Sequence, residues 1–424
     1  MESFGILDNF FGSQTPLVWY FTYNAGGKDI SSNPITHLRK IDYICLKSTP
    51  ELHEIWLWAK SLFSYSDNQV IFYEVPTNKD EESLILKEIF AKFTQNPIKP
   101  IFFPFKIDPI LNKEAEKAGF KVCSDNIYEL PDKRWLYPEV PSETIHVTRT
   151  FSKSLPKALN ILPGYTCFSR DQLREARNLL LEKNIKKFVI KNVFTSAGKN
   201  IYFLDKESEE EFESILQSIK FETLPNRIHD PAYIIEEMLD IELDSHCETR
   251  TPIVHCMGTY ILPSVLHQIV KGSKYLGTSS QSPDLDISKK CLSQAKLLSE
   301  SLNLKGPWGI DFVVDKSAIP YPIDINIGRL CGSHYIRFFI DLYAKDQFFE
   351  AWKVGSAKAP LGKIQEMLRK EGVEFDFKKK SGVSLIRVGD VGNLTVLVVG
   401  EKQEDLKTMR EKIIEILEGL IEKS

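Results

Sequence analysis

Hydrophobic and polar positions alternate along this chain with two periods. In the first 130 or so residues, short apolar runs at 17–23, 43–46, 70–73 and 101–104 predict strands. Between them lie ELHEIWLWAKSLF at 51–63 and KDEESLILKEIFAKF at 79–93, whose apolar side chains recur every three or four residues and predict helices. The clearest unit is IFFPF, then DPILNKEAEKAG, then FKVCSD, read as a strand, a helix closed at Gly119 and a second strand. Alternation of this kind predicts an α/β layer. The segment PDKRWLYPEVPS, at 131–142, has no apolar period and carries three prolines, so a domain boundary is placed near residue 140.

Beyond the boundary, SKSLPKALN reads as a short helix with Pro156 in its first turn. A longer helix, SRDQLREARNLLLEKN, starts with Ser169 and Gln172 spaced as a capping box. Strands KFVIKNVF and NIYFLD flank the small-residue loop TSAGKN, and the acidic helix KESEEEFESILQSIK follows. The strand AYIIEE runs into Glu236 and Glu237. Further strands are predicted in PIVHCMGTYIL and HQIVKGSKYLGTSS, then a helix in ISKKCLSQAKLLSESLN. After RFFIDLYAKDQFFEAW comes a polar stretch to about Lys380, then strands GVSLIRV and LTVLVVG and an amphipathic terminal helix.

The stretch 306–333, GPWGIDFVVDKSAIPYPIDINIGRLCGS, predicts a hairpin turning around Asp315, Lys316 and Ser317. Each strand carries one carboxylate among apolar residues, Asp311 and Asp324. Asn326 lies two residues beyond Asp324, so both project to one face. Two carboxylates and an amide oxygen are hard donors suited to Mg²⁺, with phosphate and water left to complete its shell. Arg329, just past the second strand, adds a fixed positive fork. A hairpin with solvated acids on its outer face has the same pattern.

Length and charge narrow the classes. A chain of 424 residues is expected to hold two or three domains. With 42% hydrophobic and 26% charged residues it reads as an ordinary soluble, cytoplasmic protein. The net charge of −4 comes without long basic or acidic blocks, which argues against nucleic acid as a partner. No apolar run is long enough to predict a membrane span. Seven scattered cysteines read as free thiols, and the His246-Cys247 and His255-Cys256 doublets as core strand residues rather than zinc ligands. Lys191 is a lysine inside an apolar strand, a placement that calls for an anion or access to water. The N-terminal loop NAGGKD lacks the spacing of a phosphate loop and reads as a turn.

In order, the chain presents a lysine-bearing helix start, a strand lysine, a small-residue loop, an acidic hinge strand and the Asp…Asp-x-Asn hairpin. From about residue 150 onward this resembles the ATP-grasp superfamily, and within it the carboxylate–amine (peptide-type) ligases with an N-terminal pre-grasp domain. The resemblance implies an α/β (α+β) chain with an ATP-grasp fold and a Rossmann-like pre-grasp domain. The expected division is 1–140 pre-grasp, 141–235 lid and phosphate loop, and 236–424 body. Lys153 and Lys191 would meet the phosphates of ATP, with Ser196, Ala197 and Gly198 in the loop closing over them. Glu236, Glu237 and Leu239 would hold adenine, and Glu242, or Asp244 in an alternative alignment, the ribose. Asp311, Asp324 and Asn326 would hold Mg²⁺ (or Mn²⁺). Arg329 would steady the acyl phosphate and Lys274, beside Tyr275, the γ-phosphate. The implied partners are a small-molecule carboxylate and an amine, with a homodimer as the expected assembly.

Two departures stand out. Asp324 occupies a position where the family usually has glutamate, and Ser152 precedes Lys153 where it usually has aspartate. The implied reaction is amide or peptide bond formation through an acyl phosphate, releasing ADP and phosphate. Two alternatives stay open at this stage, an ATP-binding sensor of the same fold without turnover and a phosphotransferase. His334, Tyr335 and Arg250 can be read either as substrate contacts or as packing residues.

Overall fold

The computed structural model describes residues 13–422 except 21–37, 75, 77, 105–108, 124–157, 194–199, 205–207, 222–231, 242–248, 263, 273, 281–283, 303, 305, 328–331 and 389–392. The expected linker at 131–142, Lys153, Ser196, Ala197, Gly198, Glu242, Asp244 and Arg329 therefore lie outside the described residues.

The N-terminal layer is a five-stranded parallel sheet in the order β3-β2-β1-β4-β5. Its strands are β1 (Leu17–Tyr20), β2 (Tyr43–Lys47), β3 (Val70–Tyr73), β4 (Ile101–Pro104) and β5 (Lys121–Val122). The crossover helices are α1 (Pro50–Phe63), α2 (Lys79–Ala91) and α3 (Pro109–Lys117). The sequence sets the helix starts: Thr49 accepts from Leu52 N, and Asn78 from Asp80 N and Glu81 N. Such N-caps contribute about 1 kcal/mol each by satisfying amides that the first turn leaves open.

A second, four-stranded antiparallel sheet has the order β6-β9-β7-β8. It comprises β6 (Gly164–Cys167), β7 (Phe188–Asn192), β8 (Ile201–Leu204) and β9 (Tyr233–Glu237), with α4 (Arg170–Glu182) and α5 (Glu209–Ser218) packed on it. Ser169 caps α4 as expected, accepting from Gln172 N, but the Gln172 side chain accepts from Phe168 N, one residue earlier than a capping box requires. The strand β9 crosses the expected boundary at residue 235, and Glu236 pairs within this sheet, opposite Gly164 and Val189.

The third sheet has ten strands, with β15-β14-β10-β12-β13-β16-β18-β17 in order, β11 added beside β10 and β19 beside β16. Its strands are β10 (Thr249–Met257), β11 (Tyr260–Ile261), β12 (Leu266–Lys271), β13 (Lys274–Ser279), β14 (Pro307–Val314), β15 (Pro320–Ile327), β16 (Phe348–Ala357), β17 (Gly382–Val388), β18 (Asn393–Gly400) and β19 (Ile421–Glu422). The helices are α6 (Leu285–Leu302), α7 (Gly332–Tyr343), α8 (Leu361–Lys370) and α9 (Gln403–Leu417). Strand β16 and helix α8 interrupt a region the sequence pattern left undivided.

Side chains separate the two faces of this sheet at β10 and β14. Val254, Cys256, Trp308, Ile310, Phe312 and Ile325 turn to α6 and form one apolar core. Ile253 and Met257, on the opposite face, join α7 and the N-terminal sheet in a single larger core. There Trp19, packed on Phe103, meets Phe338, and Phe63 meets Phe339 and Tyr343. The first layer is therefore fixed to the third by shared aromatic burial, and truncating Phe339 would cost about 3–5 kcal/mol.

Candidate nucleotide and metal site

The β14–β15 hairpin forms as the alternation predicts. Asp315 builds its turn: Oδ1 accepts from Ser317 N and Ile319 N, both at 2.9 Å, and Oδ2 accepts from the Tyr321 hydroxyl at 3.3 Å. Ala318 is left-handed there, at φ 58°, a conformation that disfavours a side chain by about 1–2 kcal/mol. Across the hairpin Asp311 stands directly opposite Asp324, and Gly309 opposite Asn326. Directly opposed side chains of antiparallel strands have Cβ atoms about 4.5–5.5 Å apart. The two carboxylates and the amide thus share one face, as the sequence spacing requires.

The structure adds a fourth polar residue to this face. Gln268 reaches from β12 across β10 and donates to Asp311 Oδ1 at 2.7 Å. Asn326 Nδ2 lies 3.5 Å from Asp311 Oδ2. A glutamine inside the apolar run LHQIVK was the available signal, since burying an amide demands a polar partner. Among the described residues no three His, Cys, Asp or Glu side chains cluster as a metal site. The donor set is two carboxylates and an amide whose oxygen faces the same space when the group is turned. That set fits a hard divalent cation that takes its other ligands from phosphate and water.

Lys191 and Glu236 meet on neighbouring strands of the second sheet. Lys191 stands opposite Ile234 and Glu236 opposite Val189, so their side chains are diagonal neighbours on one face. Lys191 Nζ donates to Glu236 Oε1 at 2.6 Å, with side chains 5% and 4% exposed. The same ammonium donates to the Ile323 carbonyl of β15, so the second sheet touches the hairpin beside Asp324. Glu236 Oε2 is buried and accepts no hydrogen bond among the described residues. A buried carboxylate oxygen without a donor is costly, and its need matches an N–H such as the exocyclic amine of adenine.

The hinge continues past Glu236. Glu237 N donates to Pro163 O and Met238 N to Lys187 O, which fixes the chain leading to Leu239. Burial raises the Glu237 carboxyl above the usual range. The Tyr321 phenol is raised too, by burial first and then by the nearby Asp315 and Glu237 carboxylates. Lys274 lies elsewhere, exposed at the β12–β13 turn and opposite Lys271, with β10 and β12 between its strand and β14. Its neighbour Tyr275 bonds Thr278 Oγ1 at 2.6 Å under Lys353.

His334 is fully buried, with Nε2 3.2 Å from the Trp308 carbonyl. Tyr335 is buried in the shared core. His255 and Cys256 are core strand residues, and burial holds the His255 imidazole well below its ordinary pKa.

No family model matches the chain. The [butirosin acyl-carrier protein]–L-glutamate ligase of Niallia circulans is 19% identical over 335 residues, covering 70% of this chain and 77% of that protein. A biotin carboxylase from Campylobacter jejuni, solved as a β,γ-ATP complex, superposes with a TM-score of 0.61 at 12% identity, over 95% of this chain and 91% of that one. The N5-carboxyaminoimidazole synthase of Aspergillus clavatus, solved with ADP and 5-aminoimidazole ribonucleotide, superposes with a TM-score of 0.58 at 11% identity, over 96% and 99%. The chain thus has the ATP-grasp fold, here a parallel N-terminal layer followed by two antiparallel sheets. That likeness is one of fold, and it spans nearly the whole length of the chain.

Proposed function

We propose that this protein is an ATP-dependent carboxylate–amine ligase that forms an amide through an acyl phosphate and releases ADP and phosphate. The observation that carries the reading is the meeting of the two antiparallel sheets. The hinge carboxylate Glu236 and the ammonium of Lys191 abut the strand that presents Asp324 opposite Asp311, with Asn326 two residues on along the same face. A nucleotide whose base lies at Glu236, Glu237 and Leu239 would extend its phosphates past Lys191 toward the paired carboxylates. Lys153, the 196–198 loop, Glu242, Arg329 and Lys274 complete the proposed set on the strength of the sequence pattern.

A divalent cation held by Asp311, Asp324 and Asn326 would supply neutralisation of the charge that moves with the γ-phosphoryl group. A carboxylate oxygen of the acid attacks the γ-phosphorus and ADP leaves. The amine nitrogen then attacks the acyl carbon, loses its proton, and phosphate leaves as the amide forms. Binding both substrates beside the phosphates supplies orientation, and excluding water protects the acyl phosphate. No nucleophile from the protein is needed.

The relative that conjugates L-glutamate to an acyl-carrier protein suggests amino acids as the first acids to try. The test is release of ADP and phosphate by the full chain with Mg²⁺ and pools of amino acids and small carboxylic acids, with and without amines. Hydroxylamine serves as a trap. Turnover that requires an acid, and a hydroxamate formed in place of the amide, is expected. ATP binding without turnover in every pool would favour a sensor, and ADP formed with a stable phosphorylated product would favour a phosphotransferase.

A further inference from the structure

The pairing of β14 with β15 is not continuous. Asp311 is opposite Asp324, but the next residue, Phe312, is opposite Pro322, so Ile323 is an extra residue bulged out of the ladder. A bulge re-aims the side chain that follows it and turns a backbone group away from its strand partner. Here that group has a specific recipient. The Ile323 carbonyl accepts from Lys191 Nζ, an ammonium anchored by Glu236 in a different sheet. One planar peptide unit carries both the Ile323 carbonyl and the Asp324 N–H, so fixing the carbonyl fixes the plane from which Asp324 departs.

Building on the metal reading of the proposed function, we propose that Lys191 is a positioning residue for the cation site as well as a phosphate contact. Held by Glu236, it pins the bulge at Ile323 and thereby aims the Asp324 carboxylate at Asp311. The Lys191–Glu236 pair is buried on both sides, so its geometry is held by packing and not by solvent-exposed charge.

Two consequences have opposite signs and separate this role from simple charge. Lys191 and Glu236 together carry no net charge, so replacing both by neutral side chains of similar length leaves the Coulomb field at Asp311 and Asp324 nearly unchanged. Loss of aiming, in contrast, weakens cation binding even without nucleotide. The measurement is the Kd for Mn²⁺ of the full chain in the absence of nucleotide, by electron paramagnetic resonance titration of free Mn²⁺. Lys191→Met/Glu236→Gln is compared with wild type and with Asp311→Asn.

The double variant is expected to bind Mn²⁺ about tenfold more weakly than wild type, as groups that orient metal ligands do when lost. An unchanged Kd in a folded double variant, with wild-type binding abolished by Asp311→Asn, would overturn the positioning role and leave the metal site standing. Wild-type binding that Asp311→Asn does not affect, or no binding at all, would remove the metal site and this inference with it. Should the double variant not fold, Lys191→Gln decides the matter. Removing one positive charge alone would tighten cation binding, whereas loss of aiming weakens it.

Discussion

Two ion pairs in this molecule are alike in burial and differ in what surrounds them. In the N-terminal layer Arg39 and Asp42 pair with side chains 6% and 0% exposed. Asp42 accepts from Arg39 Nε, Nη2 and N and from Leu17 N, while Arg39 Nη2 also donates to the Thr15 carbonyl. Both oxygens of the carboxylate are supplied with donors from its own layer, and Gln69 Nε2 ties the Arg39 and Asp42 carbonyls together. Lys191 and Glu236 are as deeply buried, yet Glu236 Oε2 finds no donor among the described residues and Lys191 reaches out to a strand of another sheet. A buried pair with every oxygen satisfied is architecture. A buried pair with an acceptor left over, at a junction of sheets, is built to meet something else.

The contrast can be tested from both ends. The largest effect is expected at the hairpin that the second pair serves: Asp311→Asn or Asp324→Ala should lower ATP turnover by at least about a hundredfold, the scale on which loss of a preorganised charge-stabilising group is felt. Urea unfolding should meanwhile show a native-like midpoint. At the first pair, Arg39→Leu should destabilise the fold by about 3–5 kcal/mol by stranding the Asp42 charge. The urea midpoint reports that loss, and ATP affinity of the molecules that remain folded should not move. Glu236→Gln is expected to lie between these: by weakening one hydrogen bond to the base it should reduce ATP affinity about tenfold in calorimetric titration. Equal loss of ATP affinity in Arg39→Leu and Glu236→Gln would erase the distinction between the pairs.

Much of this arrangement was legible in the residues, for identifiable reasons. Strands such as 70–73 and 101–104 and helices with side-chain caps at Thr49, Asn78, Ser169 and Ser208 announce themselves locally, because alternation and capping act within a few residues. The opposition of Asp311 and Asp324 also follows from local pairing in a short hairpin. Strand β16 was hidden because RFFIDLYAKDQFFEAW is apolar on both sides of its break. The helix–strand boundary falls where Asp346 turns left-handed at φ 69°. Helix α8 was lost in a polar stretch, although Ile364 and Leu368, both buried, recur at helical spacing. Gln268 and the Ile323 bulge were out of reach in principle. Each acquires its role from register between strands distant in sequence, which one-dimensional periodicity does not encode.

The smallest effect concerns a third buried polar group, and it sharpens the comparison because it is neutral. His255 lies on β10 opposite Gly309, on the hairpin face, with Nε2 2.7 Å from Ser333 Oγ at the start of α7. The groups facing it are His334, at 4.3 Å between ring centroids, and Arg337, both of which disfavour a second positive charge. Burial first, and then these neighbours, hold its folded pKa well below the ordinary 6.5. The unfolded chain takes up this proton as pH falls below about 6.5 while the native protein does not. Stability contributed by neutral His255 is therefore fully present above that pH and declines below it, by up to about 1.4 kcal/mol per pH unit until the folded pKa is reached. Replacing His255 with glutamine, which keeps a polar atom for Ser333, should flatten the acid limb of a stability–pH curve by about that slope, read as the difference from wild type in urea titrations between pH 5 and 7. The same slope in both proteins would show that His255 is protonated in the fold.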